Sequence, residues 1–252
     1  MVIGYNEAIE IAYKFANEIG EIHHDNILAV FVIGSLGSDY YRPGQSDIDT
    51  LVITKYNRNK RNYMKKEIRA TADKYQSGYN VPKGFGAIVF AEEQLYPPYV
   101  KSEELILEIL RLKTQSKLIY GEYEINEIPM PHKQAIIDDA INFQEWVDST
   151  QKNKTLEELA KDFDSVAFVN SILIVLRRYL IIQHNVIEFN KFKTIGFYLE
   201  NTPPLVNDEV FDFITLLLHE RANEVDFSKA LRMVEWRKKL YAKINSLVLY
   251  NQ

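Results

Sequence analysis

Apolar and polar positions alternate with two different rhythms along this chain. Between residues 5 and 20, Ala8, Ala12, Phe15, Ala16 and Ile19 recur at helical intervals, which predicts an amphipathic helix. Ile27 to Ile33 is a nearly continuous apolar run rich in β-branched residues, the pattern of a buried strand. A turn-rich stretch from Gly34 to Ser46 follows, with Pro43-Gly44 inside it. Ile48 to Thr54 then alternates as a second strand, and residues 57–76 read as a strongly basic helix. Ala87 to Phe90, introduced by Gly84 and Gly86, is a third strand candidate. Ser102 is placed to cap a helix with Glu103 and Glu104 in its first turn, where carboxylates suit the dipole. That helix is expected to end near Lys117, and Ile119-Tyr120-Gly121 closes the segment.

Ile128-Pro129-Met130-Pro131 reads as a linker, and beyond it the strand rhythm largely stops. Helical spacing is expected over 132–149, 156–184, 191–200, 207–222 and 227–248. The second of these opens with a capping box, Thr155-Leu156-Glu157-Glu158. No repeat or low-complexity tract is visible. The expected fold class is α+β: a domain over residues 1–128 with a small mixed sheet flanked by helices, then a helical bundle over 129–252.

Composition narrows the function more than the fold. Thirty basic against thirty-five acidic side chains give a net charge of −5, which offers no global attraction to nucleic acid or anionic membranes. The absence of cysteine removes disulfides, thiolate zinc sites and cysteine nucleophiles together, and suits a reducing interior. The first residues lack a signal-peptide pattern, and no apolar run approaches the roughly 20 residues that span a bilayer. A cytoplasmic protein is expected. The five histidines show no zinc-ligand spacing, and no Gly-x-x-x-x-Gly-Lys-Ser/Thr loop is present.

The chemistry concentrates in Val32-Ile33-Gly34-Ser35-Leu36-Gly37-Ser38 and Ser46-Asp47-Ile48-Asp49-Thr50. A buried strand delivers a Gly-Ser turn, and the next strand delivers two carboxylates one residue apart. Residues i and i+2 of a strand share a face, so Asp47 and Asp49 are expected to project together. Two like charges so placed are costly unless a cation compensates them, and Mg2+ suits one or two carboxylates plus substrate phosphates. Gly34 admits a phosphate close to the backbone, and Ser35 adds a hydroxyl donor beside it. These parts suit transfer at phosphorus.

Hydrophobic-Gly-Ser, a loop of about a dozen residues, then Asp-hydrophobic-Asp-hydrophobic resembles the polymerase-β-like nucleotidyltransferase superfamily over residues 31–54. Length and the helical second half look more specifically like the kanamycin and streptomycin/spectinomycin adenylyltransferases. The resemblance implies a Mg2+–ATP site at Gly34, Ser35, Asp47 and Asp49, with a substrate hydroxyl attacking the α-phosphorus and pyrophosphate leaving. It also implies a nucleotide-contacting lysine after Leu176-Arg177-Arg178-Tyr179, for which Lys191 is the candidate, with Lys193 close behind. A homodimer is the assembly it allows.

The pattern departs from that family at two places. Gly86 stands where the family usually carries a third acid, with Glu92 and Glu93 following. On the first helix of the second half, Asn142 and Glu145 stand where the kanamycin enzymes carry a base and a lysine, which leaves Asp138, Asp139 or Glu145 as other sources of a base. The leading expectation is therefore AMP transfer to a hydroxyl of a small, aminoglycoside-type acceptor. Two alternatives stay open: a nucleotide-binding or regulatory module with a degenerate site, and transfer to a protein or tRNA.

Overall fold

The apolar run Ile27–Ile33 becomes β1, the central strand of a four-stranded sheet. The computed structural model describes residues 2–38, 40–55, 58–81, 83–99, 105–151, 153–201, 214 and 225–250. On one side of β1 lies β2 (Ile48–Thr54), antiparallel, with Ile33 opposite Asp49 and Val32 opposite Thr50. β3 (Phe85–Ala91) runs parallel to β2, with Asp49 opposite Gly86. On the other side of β1 lies β4 (Ser116–Gly121), antiparallel, so the sheet order is β3-β2-β1-β4.

Alternation along the strands sends side chains to two separate cores. Val30 and Val32 of β1, Ile48 and Val52 of β2, and Phe85 and Val89 of β3 face one layer. That layer is filled by α1 (Tyr5–Ile22), through Ile11, Phe15 and Ile19, and by α3 (Arg58–Gly78), through Met64, Ile68 and Tyr75. The ring of Phe15 sits 4.8 Å from that of Phe85 and edge-on to Tyr75 at 5.7 Å. Phe31 and Ile33, Leu51 and Ile53, and Phe90 face the opposite layer with Leu105, Ile109 and Leu112 of α4 (Leu105–Thr114). Both faces of β1 and β2 are thus dry, as their near-continuous apolar runs require.

The chain divides into two compact units, one comprising Met1–Val100 with Glu104–Pro131, and one that includes His132–Gln252. The second holds α5 (Lys133–Gln151), α6 (Leu156–Lys161), α7 (Ser165–His184), α8 (Lys191–Asn201) and α9 (Phe227–Tyr250). The class is the expected one: a mixed sheet with helices, then a helical part. No helix of the described residues is long and apolar enough to cross a membrane.

Three expectations about elements change. The helix expected to reach Lys117 stops at Thr114, and Ser116–Gly121 is a strand instead. The hydroxyls of Thr114 and Ser116 donate to the carbonyls of Leu110 and Leu112, satisfying the last turn of α4 and ending it there. The helix expected over 156–184 is two helices. The Thr155–Glu158 capping box opens α6 as expected, but Asp164 then accepts from the Ala167 amide at 3.0 Å and starts α7 afresh. The expected turn after β1 also begins with a short helix, α2 (Gly34–Gly37). Residues 207–222, read as a helix, lie outside the described residues except for Ile214, which is buried; Ser102 lies outside them too.

Candidate active site

β1 ends where β2 and β3 begin, and all the motif residues of the first unit meet at that edge. Gly34 follows the last residue of β1 with φ at +65°, a left-handed conformation in which a side chain would be strained. Its carbonyl accepts a 2.6 Å hydrogen bond from the Ser38 hydroxyl, which ties the turn shut. Gly37 is held tighter still: a Cβ there would come within 2.6 Å of the Gln115 carbonyl oxygen and 2.8 Å of that of Val32. The turn is therefore seated directly on the ends of β1 and β4.

Ser35 lies in this turn, and its Oγ is buried without a hydrogen-bond partner among the described residues. Leaving a hydroxyl orphaned inside a folded chain costs free energy, about 1–3 kcal/mol when no water replaces the lost bond. Such a group is explained when a ligand atom completes it. The donor chemistry fits a phosphate oxygen.

Asp49 enters from the second position of β2. Register places it between Ile33 of β1 and Gly86 of β3. Its carboxylate runs between two glycines: a Cβ on Gly34 would lie 3.2 Å from Oδ2, and a Cβ on Gly86 would lie 2.7 Å from Oδ1. Asp47, half-exposed, precedes β2 and follows a loop closed by Ser46. Ser46 is buried, its Oγ accepts from the Arg42 amide at 3.0 Å, and its own amide donates to the Arg42 carbonyl. Burial first, and then the charge of Asp47, push the Tyr41 phenol above its ordinary pKa, so Asp47 acts on the inner wall of this loop. Tyr41 carried no signal in the sequence that linked it to the motif.

Carboxylates such as those of Asp47 and Asp49 are suitable donors for a hard cation with oxygen ligands. Among the described residues no group of three or more His, Asp or Glu side chains could hold a metal ion. Glu92 and Glu93 do not replace the acid absent at Gly86. They fall in the 3-10 turn Glu92–Leu95 after β3, and Glu92 lies six positions along the strand direction from Gly86, about 20 Å at ordinary strand rise.

The second unit places its candidates on helices. Lys191 is exposed at the first position of α8, whose start is capped by Asn190 Oδ1 accepting from the amides of Phe192 and Lys193. Asp138 and Glu145 are exposed on α5. Asp139, weighed as a base, is a buried structural partner instead: its Oδ2 accepts from Arg178 Nε at 2.8 Å and Nη2 at 2.6 Å, with only 5% and 2% of the side chains exposed. The guanidinium also lies 4.5 Å from the centre of the Phe143 ring.

Against known proteins, the family model described as Nucleotidyltransferase domain matches residues 12–156. Among solved structures, spectinomycin adenyltransferase AAD(9) from Enterococcus faecialis, crystallised with ATP and spectinomycin, is similar with a TM-score of 0.59. The two share 16% sequence identity, and the match covers 93% of this chain and 98% of that one. At that identity the likeness is one of fold. No curated protein sequence matches the chain.

Proposed function

The chain belongs to the nucleotidyltransferase domain family, and from that premise we propose that it transfers AMP from ATP to a hydroxyl of a small aminoglycoside-type antibiotic. It is an enzyme of the nucleotidyltransferase class. The observation that carries the finer reading is the convergence of an orphaned Ser35 hydroxyl, a left-handed Gly34 and the Asp49 carboxylate at one sheet edge.

In this reading Gly34 leaves room for a phosphate, and Ser35 Oγ donates to one of its oxygens. Asp47 and Asp49 would hold Mg2+, since their oxygens are hard ligands. When bound, Mg2+ neutralises phosphate charge and favours attack at the α-phosphorus. The acceptor oxygen forms a bond to that phosphorus, the bond to the bridging oxygen breaks, and pyrophosphate leaves; the hydroxyl proton goes to a carboxylate base. Lys191 is assigned to a phosphate contact. Residues 1–128 are assigned the transfer chemistry, and residues 129–252 the acceptor. A polycationic acceptor suits a chain of net charge −5, and AAD(9), a similar structure, was solved with ATP and spectinomycin. A cytoplasmic homodimer completes the reading.

The test is pyrophosphate release from ATP and Mg2+ with a panel of aminoglycosides and aminocyclitols, beside Asp47→Asn and Asp49→Asn. Acceptor-dependent release that disappears in both variants is expected. Release that persists in both would sink the assignment. A second reading rests on Gly86: without the third acid, the unit binds nucleotide but does not turn over. It is distinguished by Mg2+-dependent ATP binding with no release under any acceptor.

A further inference from the structure

Asp47 is a candidate ligand that the sheet itself does not hold. It precedes β2, so its place is set by the loop that delivers it and by the first amide of the strand. The backbone is fixed on both sides: the Ser46 amide donates to the Arg42 carbonyl at 2.9 Å, and the Ile48 amide donates to the Gly84 carbonyl at 3.0 Å. The second bond belongs to the edge of the sheet. The first closes a turn, Arg42 to Ser46, whose other side is closed by the Arg42 amide on Ser46 Oγ. A turn bonded to itself keeps its shape but not its place, so something else must moor it.

Across residues 40–47 only Tyr41 and Ser46 are buried, while Tyr40, Arg42, Pro43 and Gln45 face solvent. Tyr41 is 8% exposed and belongs to the buried cluster that holds Ile3, Leu36 of α2 and Ile48. Its ring meets the ring of Tyr5 edge-on, with centroids 6.3 Å apart, and Tyr5 is the first residue of α1. The Tyr5 hydroxyl in turn accepts a 2.8 Å hydrogen bond from the Lys117 ammonium of β4. One line of contacts therefore runs from the edge strand, through the start of α1, to the turn before Asp47. The Tyr41 hydroxyl adds little to it, since its 3.5 Å approach to the Ile3 carbonyl is long for an O–H donor. Burial and edge-to-face packing hold the ring.

We infer that Tyr41 is a positioning residue for Asp47: its ring, seated against Tyr5, moors the turn that sets where this carboxylate stands. This rests on Asp47 and Asp49 holding the metal. The ring acts through the backbone of the turn, so its shape matters at position 41 and its hydroxyl does not.

The experiment measures Mn2+ binding by electron paramagnetic resonance on the full chain, with a non-hydrolysable ATP analogue present. Wild type is compared with Tyr41→Phe, Tyr41→Leu, Tyr5→Leu, Asp47→Ala and, as a control for the same change elsewhere, Tyr13→Leu at an exposed position of α1. Tyr41→Leu and Tyr5→Leu are each expected to weaken Mn2+ by about tenfold, the scale of a lost ligand-supporting group. Tyr41→Phe and Tyr13→Leu should match wild type, and Asp47→Ala should bind Mn2+ more weakly than any of them. Saturating Mn2+ should return the analogue affinity of both weakened leucine variants to the wild-type value, because only the seat of the metal is loosened. Wild-type Mn2+ affinity in Tyr41→Leu, or a defect that saturating Mn2+ does not repair, overturns the inference while leaving the metal site intact. A tenfold loss in Tyr41→Phe overturns it in favour of the hydroxyl. Equal binding by wild type and Asp47→Ala instead removes the metal-site reading itself. Should Tyr41→Leu fail to fold, Tyr5→Leu decides: a loss that Mn2+ repairs supports the mooring, and wild-type affinity overturns it.

Discussion

Ser35 is a polar group whose surroundings make sense once something is added to it. The Ser35 hydroxyl is buried and unpartnered, so removing it relieves the folded chain of an unsatisfied group. Ser35→Ala is therefore expected to melt at or above the wild-type temperature while nucleotide affinity falls about tenfold, the worth of one hydrogen bond to a charged oxygen. A calorimetric titration with ATP beside a thermal melt separates the two effects; joint loss of both would mean that the hydroxyl serves the fold. At this scale the sequence was informative where the chemistry is local. Gly34-Ser35 and Asp47-x-Asp49 stood out because their spacing alone implies a turn beside a strand. The contact between Asp49 and Gly86 could not be read, because it depends on which strands become neighbours and in what register. Asp139 misled for a related reason: an acid on a helix reads as solvated until its buried arginine, 39 residues away, is in view.

Among the elements, the helices of the second unit depend on a few polar groups at defined places. Asp164 caps α7, so Asp164→Ala is expected to cost about 0.5–2 kcal/mol, read as a shift in the urea midpoint. The Asp139–Arg178 pair ties α5 to α7 in a nearly dry setting. Arg178→Met leaves the carboxylate buried without its main partner, for an expected loss of about 3–5 kcal/mol. Replacing both groups with apolar residues should restore most of that loss. A double variant as unstable as the single one would show that the pair contributes more than charge compensation. Periodicity recovered the long helices because each has one dry face. It missed β4, whose Lys117 and Leu118 are exposed and whose alternation is confined to an edge strand six residues long. It also ran α6 into α7, since spacing does not distinguish Asp164, whose carboxylate accepts from the Ala167 amide, from an ordinary surface acid.

Across the whole molecule, buried phenols set the response to alkali. Burial raises the pKa of Tyr41, Tyr75, Tyr99, Tyr123, Tyr198 and Tyr241 above the ordinary 10.0, so each binds its proton more tightly in the folded chain. Their contribution is complete below pH 10.0, the unfolded value, and is lost as pH rises above it toward the folded values. Urea midpoints are expected to hold steady from neutrality to about pH 9 and to fall steeply beyond 10. Tyr75→Phe should flatten part of that fall; an unchanged slope would remove Tyr75 from the account.

The position of β4 has one more consequence, for the order in which the molecule can be made. β1 is synthesised well before its partners on one flank, which are the last residues of the sheet, with Ala29 opposite Gly121 and Ile33 opposite Ser116. Until those residues leave the ribosome, the middle strand of the sheet is an open edge, rich in Ile, Val and Phe, of the kind that recruits other strands. A nascent or truncated chain ending before Ser116 is thus the form most in need of a chaperone, and the first unit produced by itself should extend beyond Gly121.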